Sequence, residues 1–268
     1  MSGDLDLDAY LQRIEWGGGT SVGTATLAGL LAAHVARIPF ENLDVLLGRD
    51  VRLDLPGLQA KLIGARRGGY CFEHATLLEA ILARLGFAPQ LHASRVTVFA
   101  PREQQPRTHM FLTVDVDGAR YVVDPGFGPF GCAAPVPLDG GYVPAAAPTH
   151  RLVRDGSLWV MEGRRDGMPL QAWVSTLEVE NRIDFEVANH FVATHPSSTF
   201  RQVVLASALT PQGRVNVMND RVTYLRPDGP VSETLVDRAA LRAVFAAHFG
   251  FDLPEIENMR VPAVAGWD

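Results

Sequence analysis

Apolar residues recur at helical spacing through the first third of the chain. One stripe occupies residues 27–38, and Pro39 ends it because proline lacks the amide hydrogen that a helix interior needs. Asp54 followed by Pro56 indicates a further helix start. Similar stripes occur at residues 7–14, 58–62 and 72–85. The first third is therefore predicted to be mostly helical.

The apolar repeat shortens to two residues from about Gln90 onward, which is the spacing of β-strands. Residues 109–116 and 119–124 flank an Asp117-Gly118 pair, a strong signal for a β-hairpin. Other segments have weaker patterns. They predict strands at residues 90–99, 157–162, 170–177 and 215–225, and helices at residues 185–191 and 238–249.

This order of helices, then strands, then a mixed tail is typical of an α+β fold. Residues 125–148 are rich in proline, glycine and alanine and indicate a long loop within the strand region. The changes of pattern divide the chain into three predicted domains, which comprise residues 1–86, 87–184 and 185–268.

The predicted hairpin has a register that the sequence alone fixes. A two-residue loop places Val116 opposite Ala119, and every further pair follows from that one. Asp115 then lies opposite Arg120, an opposite-charge pair of the kind that supports a strand register.

Charge and composition exclude several classes of function. The chain has 24 Lys and Arg against 30 Asp and Glu, a net charge of −6, so it lacks the broad basic surface that nucleic acids require. Residues 1–8 are acidic where a secretory signal would be basic, and no apolar run approaches the roughly 18 residues of a membrane span. We therefore expect a soluble cytoplasmic protein that acts on small molecules.

Two cysteines, Cys71 and Cys132, are too few for a disulfide framework. Cys71 lies between Gly68-Gly69 and the first turn of a predicted helix, where unpaired N–H groups and the helix dipole stabilise a thiolate. The alternative is that Cys71 is a small buried apolar residue, as most free cysteines are. Cys132 lies in the predicted loop with no histidine close in sequence, which argues against a catalytic role.

A histidine and an aspartate lie near each other in the predicted hairpin. In its register Asp124 is opposite Phe111 and diagonal to His109 on the same face, with the backbones roughly 7–8 Å apart. A carboxylate bonded to one imidazole nitrogen leaves the other free to accept a thiol proton. Taken alone, His109 and Asp124 have ordinary structural explanations, but with Cys71 they predict a catalytic triad.

Two other motifs are discounted and a third stays open. Cys71 and His74 have the spacing of half a zinc site, but the chain offers no second closely spaced pair, so no metal is expected. The glycine-rich segment 17–23 lacks the lysine of a phosphate loop. Gly126-Phe127-Gly128 is either a tight turn only or a place where a ligand approaches the backbone.

Taken together, these residues resemble the arylamine N-acetyltransferase family along nearly the whole chain. The resemblance is carried by residues 38–44 (IPFENLD), 67–73 (RGGYCFE), 108–112 (THMFL), 123–128 (VDPGFG) and 194–200 (THPSSTF). It implies a helical N-terminal domain, a β-barrel middle domain and an α/β C-terminal lid. It also implies a Cys-His-Asp triad laid out as in papain-like cysteine proteases and transglutaminases.

The resemblance also implies roles for individual residues. Cys71 becomes the acetyl-accepting nucleophile, His109 its base and Asp124 the residue that orients the base. Acetyl-CoA is the implied cosubstrate, and the implied acceptors are aromatic amines and hydrazines, as in the metabolism of xenobiotics. The remaining implied contacts are Phe40, Phe127 and Phe200 in the acceptor pocket, and Gly126 and Gly128 at the turn where coenzyme A enters.

Two departures from the family pattern lie close to the predicted triad. Pro125 stands where valine is more common, and Ala75 stands where asparagine is common. The same triad layout also suits an amide synthase that closes a macrolactam from a carrier-bound acyl chain, a cysteine hydrolase, or an inactive binding module. These alternatives stay open at the level of sequence.

Overall fold

A computed structural model describes residues 5–138, 140, 149–165 and 168–267. The helices of the first third have a two-residue strand among them, β1 (Phe40–Glu41), and a π-helical turn follows the fourth helix at Gln59–Gly64. The predicted helical stripes are confirmed. The helices are α1 (Leu7–Arg13), α2 (Thr24–Arg37), α3 (Leu43–Leu46), α4 (Leu55–Leu58) and α5 (Cys71–Arg84).

Helix α5 is the central element of this region, and its sequence defines both ends. At its start, the Glu73 carboxylate accepts the backbone N–H of Tyr70 at 3.0 Å, which satisfies one of the groups that a helix end leaves unpaired. At its end, Gly86 has a φ of +93°, a conformation that glycine adopts without strain. Phe72, Leu78 and Ile81 of the predicted apolar stripe are buried.

A seven-stranded antiparallel sheet forms the middle of the molecule. Its strands are β2 (Gln90–Val96), β3 (Arg107–Val116), β4 (Ala119–Val123), β5 (Val136–Pro137), β6 (Thr149–Asp155), β7 (Leu158–Arg165) and β8 (Met168–Ser175). Their order is β5-β4-β3-β2-β8-β7-β6, and the two edge strands contact each other, so the sheet is a nearly closed barrel. The α+β architecture with a barrel is thus confirmed.

The predicted hairpin register is confirmed at every pair from Val116↔Ala119 to Leu112↔Val123. Arg120 donates both of its hydrogen bonds to the Asp115 carboxylate at 2.7 Å, as the cross-strand pairing requires. Asp117 and Gly118 both have positive φ, the conformation of the type I′ turn that suits a two-residue hairpin.

A five-stranded antiparallel sheet occupies the last third, flanked by helices α6 (Arg182–Thr194) and α7 (Arg238–His248). It contains β9 (Leu205–Thr210), β10 (Gly213–Met218), β11 (Arg221–Arg226) and β12 (Gly229–Thr234), in the order β1-β9-β10-β11-β12. Strand β1 comes from the first third of the chain and joins this sheet by pairing with β9. In this pairing Phe40 lies opposite Ser207.

Several secondary-structure predictions were wrong. The single strand predicted at residues 215–225 is a hairpin of β10 and β11, because Asn219 takes a positive φ and turns the chain. The predicted loop at 125–148 contains β5, and its residues 139 and 141–148 lie outside the described part of the chain. Strands β6, β9 and β12 were not predicted. The three-domain division stays a prediction, and helix α6 spans its boundary at 184/185.

Buried charges link the elements around helix α5. This acid–base cluster comprises Glu41, Asp44, Lys61, Arg67 and Glu73. Arg67 contacts Glu41 at 2.7 Å and Asp44 at 3.1 Å, and Lys61 contacts Asp44 and Glu73 at 2.7 Å each. The charges of Glu41 and Asp44 raise the pKa of Arg67 despite the opposing effect of burial. Each acidic side chain of the cluster thus contacts at least one basic side chain.

Removal of one member of this cluster is expected to destabilise the fold strongly. Glu41 is fully buried, so Glu41→Ala leaves the Arg67 guanidinium without its closest counter-charge. We expect a loss of about 3–5 kcal/mol in the free energy of unfolding, measured by urea titration. Asp115→Ala breaks an exposed pair with Arg120 and is the matched control, with an expected loss of about 1 kcal/mol or less. Equal losses in the two variants would contradict this interpretation.

Candidate active site

Cys71 is the first residue of helix α5, as the sequence predicts, and only 4% of its surface is exposed. The two preceding glycines are required by close packing. A Cβ on Gly68 would lie 2.0 Å from the carbonyl oxygen of Pro39, and one on Gly69 would lie 2.5 Å from the Glu73 carboxylate. The cysteine Sγ is 3.7 Å from the carbonyl oxygen of Thr108, next to the predicted base in the chain.

His109 and Asp124 meet as the predicted register requires. His109 lies on β3, and Asp124 follows the last residue of β4. His109 Nε2 is 2.8 Å from Asp124 Oδ2, and both side chains are buried. Cys71 and His109 line the same cavity, and the interaction with Cys71 is one of the effects that raise the pKa of His109. Because Asp124 occupies Nε2, the ring nitrogen available to the thiol is Nδ1.

The electrostatics of the site favour a charged imidazole. Burial lowers the pKa of His109, but the charge of Asp124, the hydrogen bond to it and the contact with Cys71 outweigh burial and raise the pKa to about 10. His109 is then protonated at neutral pH and places a positive charge beside Cys71. Cys132 differs, because burial raises the pKa of its thiol.

Asp124 has two further hydrogen-bond donors. The indole Nε1 of Trp173 on β8 lies 3.0 Å from Asp124 Oδ2, and the backbone N–H of Gly126 lies 3.4 Å from Oδ1. The sequence interpretation missed Trp173. Its strand was predicted, but β8 reaches the triad across β2, and no local pattern reveals a pairing between distant strands.

A cavity of about 400 Å³ opens beside Cys71 and His109. The three predicted pocket residues, Phe40, Phe127 and Phe200, all line it. Among the described lining residues, Cys71 and His109 are the only titratable ones. The other lining residues are Val96, Phe99, Gln104, Gln105, Pro106, Thr108, Gly126, Pro129, Phe130, Phe191, Val192, Ser197, Ser198, Thr199 and Leu205.

The phenylalanines occupy different places in the cavity wall. The ring centroid of Phe127 is 4.8 Å from that of His109, so this ring supports the base directly. The ring centroid of Phe200 is 6.1 Å from that of Phe40 and 5.6 Å from that of Tyr70. A cavity with apolar aromatic walls and a few polar groups suits a flat, uncharged ring.

The two predicted coenzyme A contacts differ in position. Gly126 lines the cavity and packs against the nucleophile, because a Cβ there would lie 2.6 Å from the Cα of Cys71. Gly128 is not among the lining residues. It has a φ of +60°, and a Cβ there would lie 2.9 Å from the ring of Phe40. Both glycines are thus explained by packing, and their contact with coenzyme A stays a prediction.

The other histidine near Cys71 belongs to a separate network. His74 Nε2 donates to the carbonyl oxygens of Pro39 and Gly69, and its Nδ1 is 2.8 Å from His34 Nε2. The His74 side chain thus links the backbone just before β1 to the backbone just before α5. Burial lowers the pKa of His74 to about 4, so it remains neutral.

Among the described residues, no group of three or more His, Cys, Asp or Glu side chains is arranged to hold a metal ion. In the same part of the chain, no helix has the length and apolar character needed to cross a membrane.

Comparisons with known proteins show which sequences this chain is similar to. A family profile described as N-acetyltransferase matches residues 24–258. The chain is 36% identical over 267 residues to an arylamine N-acetyltransferase of Mycolicibacterium smegmatis, covering 97% of this chain and 96% of that protein. It is 33% identical over 259 residues to one of Escherichia coli K12, covering 94% and 91%.

Solved structures show the same similarity in three dimensions. The arylamine N-acetyltransferase of Nocardia farcinica matches with a TM-score of 0.89 and 36% identity, covering 98% of this chain and 95% of that one. The Mycobacterium marinum enzyme, solved in complex with CoA, matches with a TM-score of 0.89 and 33% identity, covering 94% of each chain.

The raised pKa of His109 predicts a fast reaction of Cys71 with alkylating agents at neutral pH. Below a pKa of about 10 the imidazolium is present, so iodoacetamide should alkylate Cys71 at pH 7 about tenfold or more faster than in His109→Gln, whose amide carries no charge. The difference between the two proteins should shrink above about pH 10, where the imidazole loses its proton. Equal rates at pH 7 would contradict the charge on His109.

Proposed function

Because the chain belongs to the arylamine N-acetyltransferase family, we propose that it transfers an acetyl group from acetyl-CoA to arylamines and arylhydrazines through an acetyl-cysteine at Cys71. One observation carries the mechanism. The hydrogen-bonded pair of His109 and Asp124 lies beside Cys71 at a cavity with phenylalanine walls. The reaction follows a ping-pong order, since one thiol serves both halves.

In the first half-reaction, His109 Nδ1 holds the thiol proton and the Cys71 sulfur attacks the acetyl carbonyl of acetyl-CoA. The carbon–sulfur bond to coenzyme A then breaks, and His109 returns the proton to the departing thiolate. The N–H of Cys71 lies at the start of α5, where a helix offers no carbonyl partner one turn earlier, and it would bind the oxyanion.

In the second half-reaction, the amine nitrogen attacks the acetyl-Cys71 carbonyl. His109 Nδ1 accepts a proton from that nitrogen, and the carbon–sulfur bond breaks to restore the cysteine. Asp124 keeps Nε2 engaged at 2.8 Å, which fixes the tautomer and stabilises the positive ring in both halves.

The acceptor would lie against the aromatic wall. Phe200 and Phe40 form an edge-to-face pair with an interplanar angle of 66°, and a flat acceptor ring extends this packing. A cavity of about 400 Å³ suits a small aromatic molecule. The amide synthase alternative is not favoured, because a large tethered acyl chain needs more room. The intact hydrogen bond between His109 and Asp124 also argues against an inactive binding module.

A cellular role follows as a further part of the proposal. Cys71 and Cys132 are both free thiols, and unpaired cysteines are typical of a reducing compartment. We therefore propose a cytoplasmic enzyme that modifies foreign aromatic amines and hydrazines.

Removal of the nucleophile tests the first half-reaction. Cys71→Ser should abolish the burst of coenzyme A release seen by stopped flow, because a hydroxyl is a far weaker nucleophile than the thiol that His109 activates. Cys132→Ser is the matched control, since this thiol is buried and its pKa is raised. It should keep the burst. A burst that survives in Cys71→Ser would refute the assignment of the nucleophile.

Phe200→Leu tests the acceptor wall. A lost aromatic contact is worth about 1 kcal/mol, so kcat/KM for an aniline should fall about fivefold while the coenzyme A burst stays unchanged. Phe249→Leu, in the core of the C-terminal sheet, is the control and should alter neither. Phe127 is less suitable, because its ring packs on His109 and affects both halves. An unchanged aniline kcat/KM in Phe200→Leu would remove the residue from the pocket.

A further inference from the structure

Trp173 connects a distant strand of the barrel to the triad. Its indole Nε1 donates to Asp124 Oδ2 at 3.0 Å, the same oxygen that lies 2.8 Å from His109 Nε2. The side chain is fully buried. A buried indole N–H requires an acceptor, and here the acceptor is the carboxylate that orients the base.

The position of the indole is fixed by stacking. Its ring centroid lies 4.3 Å from that of Phe111, with an interplanar angle of 22°. Phe111 in turn stacks on His109, with centroids 6.4 Å apart and an angle of 18°. Trp173, Phe111 and His109 therefore form one continuous stack, and this packing restrains the indole next to Asp124.

The carboxylate needs such a restraint. The chain turns into a loop after β4, so Asp124 lies beyond the hydrogen-bonded ladder. Within the part of the chain that the structure describes, its Oδ1 accepts only a long hydrogen bond, from the Gly126 N–H at 3.4 Å. The two short bonds at Oδ2 thus determine how the carboxylate faces His109.

We propose that Trp173 is a positioning residue for the Cys71–His109–Asp124 triad. Its indole N–H holds Asp124 in the orientation that keeps His109 Nδ1 directed at Cys71. The inference rests on the proposed function of the triad, but its first test needs no acetyl-CoA. Without the N–H, His109 is held less firmly, the imidazolium is less stabilised and less thiolate forms at Cys71.

The experiment compares Trp173→Phe with Trp159→Phe. Trp159 lies on the neighbouring strand β7 and packs against the same aromatic core, with the Arg154 guanidinium 5.4 Å from its ring. For Trp173→Phe we expect a loss of about tenfold or more in the alkylation rate of Cys71 at neutral pH, and a shift of the acid limb of the pH profile to higher pH. Trp159→Phe should keep both.

A double-mutant cycle separates positioning from a merely structural effect. If Trp173 acts through Asp124, the loss from Trp173→Phe should nearly vanish in the Asp124→Asn background. Full additivity in the cycle, an unchanged pH profile in Trp173→Phe, or equal losses in both tryptophan variants would each overturn the inference.

A replacement that keeps the ring covers the case in which Trp173→Phe fails to fold. Benzothienylalanine placed at position 173 has sulfur where the indole has N–H, so the stack on Phe111 is retained. It should give the same loss of alkylation, and normal reactivity would refute the proposal. If the unaltered protein alkylates as expected but releases no coenzyme A from acetyl-CoA, the proposed function fails while this inference stands.

Discussion

The buried ion pair between Arg67 and Glu41 is the constraint on which the rest of the active site depends. Glu41 belongs to the short strand β1, next to Phe40 of the pocket wall, and Arg67 precedes the glycines that lead to Cys71. Lys61 and Glu73 extend the cluster into helix α5 itself. Charges buried in this way must all be paired, so the cluster admits one arrangement of these segments. The nucleophile and the acceptor wall are thereby fixed relative to each other before any substrate arrives.

The second constraint is the close contact between the helical region and the barrel. Gly126 packs so tightly on Cys71 that any side chain there would overlap the Cα of the nucleophile. Asp124 lies two residues before Gly126. The contact that packs the barrel against α5 therefore also holds the Asp124 carboxylate near the Cys71 thiol. The charge of Asp124 then overcomes the burial of His109 and raises its pKa to about 10. The position of Gly126 on Cys71 and the raised pKa of His109 therefore both depend on the contact between the barrel and α5.

Features set by neighbouring residues were predictable from the sequence, and features set by distant residues were not. The Asp117-Gly118 turn fixes the register of the hairpin, so the sequence alone predicts that His109 and Asp124 lie close together. The start of α5 at Cys71 likewise follows from the glycine pair and the apolar stripe behind it. Strand β1 is only two residues long and pairs with β9, far along the chain. It is therefore too short to show the repeat of apolar residues that predicts a strand. Trp173 and Asp124 are 49 residues apart, and only the closure of the barrel brings them together.

The central claim is that Cys71 carries the acetyl group between the two substrates, and the intact mass of the protein tests it most directly. After incubation with acetyl-CoA alone and removal of excess reagent, the account predicts one acetyl group per chain. Peptide mapping should place it on Cys71, and an aromatic amine should discharge it faster than water does. A protein that stays unmodified, an acetyl group on Cys132, or an adduct that no aromatic amine removes would contradict the account.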